Sequence, residues 1–70
     1  MLKANSAKVH WDDHRKHWTV EIKCGAEVII RPIEKPVDAA AIDELKSEAI
    51  AISRDEGYDL DPSQVVVQTA

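Results

Sequence analysis

The chain has 70 residues, a net charge of −4 at pH 7, one cysteine and two tryptophans. A chain this short buries only about 60% of the surface that it exposes when unfolded, so we expect a marginal core that favours self-association. The single cysteine, Cys24, excludes an internal disulfide and is typical of a reducing compartment. Neither a signal peptide nor an apolar stretch approaching the roughly 20 residues of a membrane helix is recognisable, so the sequence predicts a cytoplasmic protein without membrane contact.

The charge is unevenly distributed along the chain. Residues 1–36 carry +2, whereas residues 37–70 carry −6. Domains that bind nucleic acid are usually basic as a whole, which this chain is not. A mildly basic half joined to an acidic half still presents two surfaces of opposite sign.

The N-terminal third predicts a tail and two β-strands. Residues 1–6 are polar and aperiodic, which indicates a flexible tail, and residues 7–70 are expected to form one domain. Apolar and polar side chains alternate over residues 7–11 and again over residues 17–23, which is typical of half-buried strands.

A four-residue turn over residues 12–15 is expected to join these strands as a hairpin. A five-residue turn would mix apolar and polar side chains on each face of the sheet. The four-residue turn predicts that His10 lies opposite His17. It also places Trp11 and Trp18 on one face, where packing in the core is a more common role for tryptophan than ligand binding.

A third strand is predicted over residues 26–33. The turn before it contains Gly25, which supplies a positive φ angle. Val28 and Ile30 point to one side of this strand and Ile29 to the other. Apolar residues on both faces indicate a strand that is buried on both sides or covered by a partner.

A helix over residues 39–56 is the clearest element, with Asp38 as its N-cap and Gly57 closing it. Its apolar stripe consists of Ile42, Leu45, Ala49 and Ile52. The acidic side is most simply a solvated face. As an alternative, it docks a basic partner, with Glu44, Glu48 and Ile50 as the candidate contact residues.

A last strand over residues 64–68 completes the order β-β-β-α-β. The expected fold class is therefore α+β, a small antiparallel sheet with one amphipathic helix packed on one face. The valine-rich last strand is expected to pair within this sheet or with a second copy, because an exposed edge strand invites strand addition.

The three histidines are candidate ligands for a metal ion. His10, His14 and His17 fall within one hairpin, and Asp12 or Asp13 would add oxygen ligands for zinc or copper. Their spacing matches no dedicated zinc motif, so an exposed, hydrated sheet face is the preferred interpretation. We expect no cofactor.

Catalysis is not expected. The two glycines of the chain form no phosphate-binding loop, and the aspartates at the hairpin turn do not converge on a cleft. The cysteine beside the turn glycine is more typical of an exposed thiol than of a nucleophile. The sequence therefore predicts a protein that is not an enzyme and has no small-molecule substrate.

The hairpin itself resembles a known family. Residues 9–12 (VHWD), followed after five residues by residues 18–22 (WTVEI), are similar to the first hairpin of Apetala-two/ethylene-response-factor DNA-binding domains and of phage integrase N-terminal domains. The resemblance implies three antiparallel strands before a helix, with the exposed sheet face entering the major groove. The positions that it implies for DNA contact are Lys8, His10, Arg15, Lys16, His17, Thr19, Lys23 and Arg31.

The chain departs from this family in several respects. Glu21 and Glu27 stand where basic residues are expected, the net charge is negative, and a further strand follows the helix. The leading hypothesis is therefore a small interaction or regulatory module, of bacterial or phage origin, that binds a protein partner or a second copy of itself. DNA binding through the sheet face is the second hypothesis, and metal binding by the histidines is the third. The binding candidates are Lys8, His10, His14, Arg15, Lys16, His17, Thr19 and Lys23.

Overall fold

The computed structural model describes residues 2–68 and has the predicted α+β fold class. Its elements, in chain order, are β1 (Leu2–Lys3), β2 (Ser6–Asp12), β3 (His17–Cys24), β4 (Glu27–Pro32), α1 (Ile42–Asp55), β5 (Tyr58–Asp59), a 3-10 turn (Pro62–Gln64) and β6 (Val65–Gln68). None of the helices in this range has the length and apolarity needed to cross a membrane.

Four strands form the main sheet, in the order β4-β3-β2-β6. β3 runs antiparallel to both β2 and β4, as the alternation predicts, whereas β6 runs parallel to β2. The sheet is therefore mixed rather than wholly antiparallel. The connection through α1 lets the chain return to the far edge of the sheet in the direction of β2, as connections between parallel strands commonly do.

The hairpin pairs its strands two residues out of the expected register. Trp11 lies opposite Trp18, His10 opposite Thr19 and Asp12 opposite His17. The prediction that His10 faces His17 is therefore wrong. Each partner moves by two positions, so the side chains keep their predicted faces.

Asp12 causes this difference in register. Its side-chain Oδ1 accepts the backbone N–H groups of His14 and Arg15, both at 3.0 Å, so the tip is organised around Asp12 as the last residue of β2. The turn is therefore residues 13–16. Lys16 closes it with a φ of 59° and donates its N–H to the Asp12 carbonyl at 2.8 Å.

Two aspartates at turns are expected to make the fold sensitive to acid. The N–H groups of Arg15 and His14 lower the pKa of Asp12, and the N–H and hydroxyl of Ser63 lower the pKa of Asp61, both from an ordinary value of 3.8. A lowered pKa in the folded state adds stability that is present above the ordinary value and lost as the pH falls through the lowered one.

The unfolding midpoint in urea is therefore expected to fall as the pH drops from about 4 towards 2. The double variant Asp12→Asn, Asp61→Asn keeps the hydrogen-bond acceptors but cannot titrate there, so its midpoint should fall less. If the two proteins gave the same curve against pH, neither carboxylate would contribute to acid sensitivity.

The core lies between the main sheet and α1. Val9, Val20 and Ile22 are fully buried on the sheet, and Leu45 and Ala49 are fully buried on the helix, so the predicted stripe is confirmed at its centre. The remaining buried apolar residues are Ala7, Trp18, Ile33, Leu60 and Val65.

The helix begins later than predicted, at Ile42. Asp38 does not cap it, because its side chain accepts the N–H of Ala40 and its carbonyl accepts that of Ala41, which makes a separate turn. At the other end Gly57 has a φ of 92° and donates to the Arg54 carbonyl, as predicted for a closing glycine.

Part of the predicted tail lies against the fold. Leu2 and Lys3 pair with Tyr58 and Asp59 as the parallel strands β1 and β5. Asn5 binds near the turn between β3 and β4, where its Oδ1 accepts the N–H of Gly25 at 2.6 Å. Most of these contacts use backbone groups, and the composition of a polar segment reveals neither them nor the contact of the Asn5 side chain.

Candidate functional site

One face of the main sheet lies away from α1, and we call it the outer face. It carries five of the predicted binding residues: Lys8, His10, Thr19, Lys23 and, at the start of β3, His17. Glu21 lies among them, with its Oε2 at 3.6 Å from Lys8 Nζ and 3.4 Å from His10 Nε2. Thr19 is buried, contrary to its prediction as an exposed binding residue, because it lies between His10 and Pro32 on the neighbouring strands.

The outer face is also apolar at both edges. Val28 and Ile30 on β4, and Val66 on β6, are large hydrophobic side chains that are more than half exposed. Arg31, which the resemblance implied as a DNA contact, lies on the opposite face and forms ion pairs with Glu56 and Asp55. The positive charge available on the outer face is therefore smaller than the sequence suggests.

The hairpin tip presents the other candidates, His14, Arg15 and Lys16, all exposed. Lys16 Nζ lies 3.3 Å from Asp13 Oδ1. His17 is half-buried, with Nδ1 3.1 Å from the Trp18 carbonyl oxygen. Within residues 2–68, no three His, Cys, Asp or Glu side chains gather as metal ligands, so the structure does not assemble the proposed histidine site.

The acidic helix residues have partners within the chain. Lys35 Nζ lies 3.2 Å from Glu48 Oε2 and 3.7 Å from Glu44 Oε1. The hydrogen bond to Glu48 and the negative charges of both carboxylates raise the pKa of Lys35. Ile50 is partly buried and packs against the core. The side chains of Glu44 and Glu48 remain 48% and 30% exposed beside Lys35, so their role as contacts for a basic partner stays a prediction.

The exposure of Trp11 is the main difference between the observed and the predicted site. The sequence predicted that both tryptophans are buried, and Trp18 is, but 45% of Trp11 is exposed. Trp11 lies near the tip of the hairpin, where its ring meets that of Trp18 edge-on, with 5.5 Å between centroids and 73° between planes. This is a favourable aromatic geometry that leaves one side of Trp11 open to solvent.

A groove of about 570 Å³ opens beside this tryptophan pair. One wall is the hairpin, with Lys16 and His17 next to the two tryptophans. The opposite wall is the segment between β4 and α1, comprising Pro32, Ile33, Glu34, Lys35, Pro36 and Val37. Aromatic, proline and aliphatic side chains predominate in this lining, and charged groups lie among them.

Hydrogen bonds hold the two walls in place. The indole Nε1 of Trp18 donates to the Val37 carbonyl at 2.8 Å, and the N–H of Ile33 donates to the Trp18 carbonyl at 2.9 Å. Lys35 ties the same segment to α1 through its two glutamates. The groove is therefore built into the fold, and a ligand would not have to order its walls.

Comparison of the chain with protein-family models, with curated proteins and with solved structures finds no match.

Proposed function

We propose that this protein is a non-enzymatic interaction module whose groove beside Trp11 binds an extended segment of another protein. The observation that carries the proposal is the half-exposed Trp11, held against Trp18 in an apolar groove with fixed walls. Exposing a large apolar ring to water is unfavourable, and tryptophan is among the residues that contribute most to binding when a partner covers them.

The lining favours a particular kind of segment. The exposed side of the Trp11 ring, beside prolines, suits an extended chain that carries proline or aliphatic side chains, because such a chain loses little conformational freedom on binding. Lys16, at the rim, is largely exposed and its ion pair with Asp13 is a surface contact of little strength. An acidic residue next to the apolar anchor would therefore find a cation within reach.

Trp11→Ala is expected to weaken binding of such a segment by at least tenfold, the range of an interface hot spot. The probe is a short proline-rich peptide with flanking glutamates, titrated while the indole N–H signals of both tryptophans are followed by NMR. We expect both signals to move with the wild type, and the amide spectrum of Trp11→Ala to remain that of a folded protein.

Two matched controls make this test specific. Val66→Ala removes exposed apolar surface from the outer face and should leave the affinity unchanged. The same peptide with lysines in place of glutamates should bind more weakly, because it would face Lys16. A wild type whose indole signals stay fixed at saturating peptide, or equal binding by Trp11→Ala, would show that the groove is not the site.

DNA binding through the outer face is a second candidate. It is favoured by Lys8, His10 and Lys23 lying together on the helix-free face, where the resemblance implies the DNA contacts. It is disfavoured by Glu21 and by the apolar edges of that face. Binding through phosphates weakens steeply with salt, so a duplex that leaves the amide signals of residues 8–23 unmoved at low salt would exclude it.

A further inference from the structure

β4 is an edge strand of the main sheet. Some of its backbone N–H and C=O groups point away from β3, at the open edge of the sheet. It pairs with β3 alone among the described strands. The N–H of Ile33 donates to the Trp18 carbonyl, and hydrogen-bonded pairs alternate along an antiparallel ladder. Ile29 therefore bonds to β3, whereas the N–H and C=O groups of Val28 and Ile30 point away from it.

The residues of β4 that have unpaired backbone groups also have exposed apolar side chains. Val28 and Ile30 are 51% and 62% exposed, although both are strongly apolar. Pro32 has no N–H and lies opposite Thr19. A residue at this position directs its backbone groups away from β3, so the proline removes no bond to β3. An edge with exposed apolar residues and unpaired backbone groups is a site for the addition of another strand.

We propose that β4 pairs antiparallel with β4 of a second copy of this chain, in a register centred on Ile29. Val28 then lies opposite Ile30 of the second copy, and Glu27 opposite Arg31. The backbone groups of Val28 and Ile30 point away from β3. They then form hydrogen-bonded pairs with Ile30 and Val28 of the second copy, and each pair exchanges both N–H···O bonds. The two sheets join into one continuous sheet, related by a two-fold axis through the Ile29 pair.

The charges at the two ends of β4 support this register. Antiparallel pairing centred on Ile29 sets Glu27 against Arg31 twice, and opposite charges across strands are favourable. The parallel in-register arrangement would set Glu27 against Glu27 and Arg31 against Arg31. Centring the antiparallel pair on Ile30 instead would place Pro32 opposite Val28, where a donor is required.

Arg31 can form ion pairs with Glu56 of its own chain and with Glu27 of the second copy at the same time. Its guanidinium already pairs with Glu56 of its own chain, but its side chain is 42% exposed and the group carries five N–H donors. Glu27 is exposed and lies on the same side of the sheet as Arg31. β4 is therefore complementary to itself in three respects: the positions of its unpaired backbone groups, its exposed apolar side chains and the charges at its two ends. A second copy of the chain supplies all three.

This pairing is tested by sedimentation velocity from micromolar to millimolar protein. A single added strand is a small interface, so the wild type should shift from monomer to dimer within this range. Over the same range the amide protons of Val28 and Ile30 should gain protection from exchange. A wild type that stays monomeric at millimolar concentration would overturn the proposal.

Two kinds of variant locate the contact. Ile30→Pro removes an outward N–H and breaks no bond to β3, so it should lower the association constant at least tenfold while melting as a folded protein. Val66→Ser, at the opposite edge, should dimerise as the wild type does. Dissociation by Val66→Ser instead of Ile30→Pro would overturn the proposal by placing the contact at β6.

Charge exchange tests the register. Glu27→Arg puts arginine opposite Arg31 of the second copy and should weaken the dimer at least tenfold. Adding Arg31→Glu exchanges the two signs and should restore dimerisation, provided that the melting curve shows a folded protein. If Glu27→Arg alone dimerised as well as the wild type, the register centred on Ile29 would be wrong.

Discussion

Trp18→Ala is expected to remove a large part of the free energy of unfolding of this chain. Trp18 is 3% exposed, and truncation of a buried tryptophan costs about 3–5 kcal/mol. A chain of this size has a total stability of roughly 4–10 kcal/mol, so the loss takes a large part of it. The Val37 carbonyl would lose its indole donor at the same time.

Two neighbouring variants separate these contributions. Trp18→Phe keeps much of the apolar volume but removes the indole N–H, so its stability should lie between those of wild type and Trp18→Ala. Trp11→Ala removes the half-exposed ring and should cost clearly less than Trp18→Ala. Urea unfolding followed by far-ultraviolet circular dichroism measures all three, and equal losses at Trp11 and Trp18 would contradict the assignment of Trp18 to the core.

The faces of the hairpin were predictable from the sequence, but its register was not. Side chains alternate with a period of two, so any register that shifts partners by two residues keeps the same faces. Choosing between Lys16 and Trp18 as the partner of Trp11 depended on the turn. That turn is determined by Asp12 accepting two backbone N–H groups, a contact that alternation does not encode.

The exposure of Trp11 was missed for a related reason. Alternation assigns a side chain to a face, but it does not tell how far along that face the helix extends. Trp11 and Val9 are two residues apart on one face, yet Val9 is fully buried and Trp11 is not. Pro32 and Pro36 predict an irregular segment after the third strand, but the sequence does not tell that this segment lies beside Trp11.

The apolar residues on both faces of β4 predicted burial on both sides or cover by a partner. The position of β4 at the edge of the sheet was not predictable. The structure places β4 there, with Val28 and Ile30 exposed. That placement depends on the order of strands in the sheet. Strand order is a property of the whole chain, which local periodicity does not contain.

Leu45→Ala is expected to be the most damaging truncation in the helix, at a cost of about 2–5 kcal/mol. Leu45 is fully buried at the centre of the helix stripe, in the core cluster that also contains Val9, Val20 and Ile22 of the sheet. Alanine has a high helix propensity, so the loss would report on packing between α1 and the sheet rather than on the helix itself.

Ile42→Ala is the matched control, because Ile42 lies on the same stripe one turn earlier but is only partly buried. It should cost distinctly less than Leu45→Ala in the same urea titration. The groove should respond as well, since Lys35 links its wall to Glu44 and Glu48 on either side of Leu45. We therefore expect the Trp11 indole signal to broaden or move in Leu45→Ala and to stay in place in Ile42→Ala. An unchanged Trp11 signal in a folded Leu45→Ala protein would mean that the groove holds its shape independently of α1.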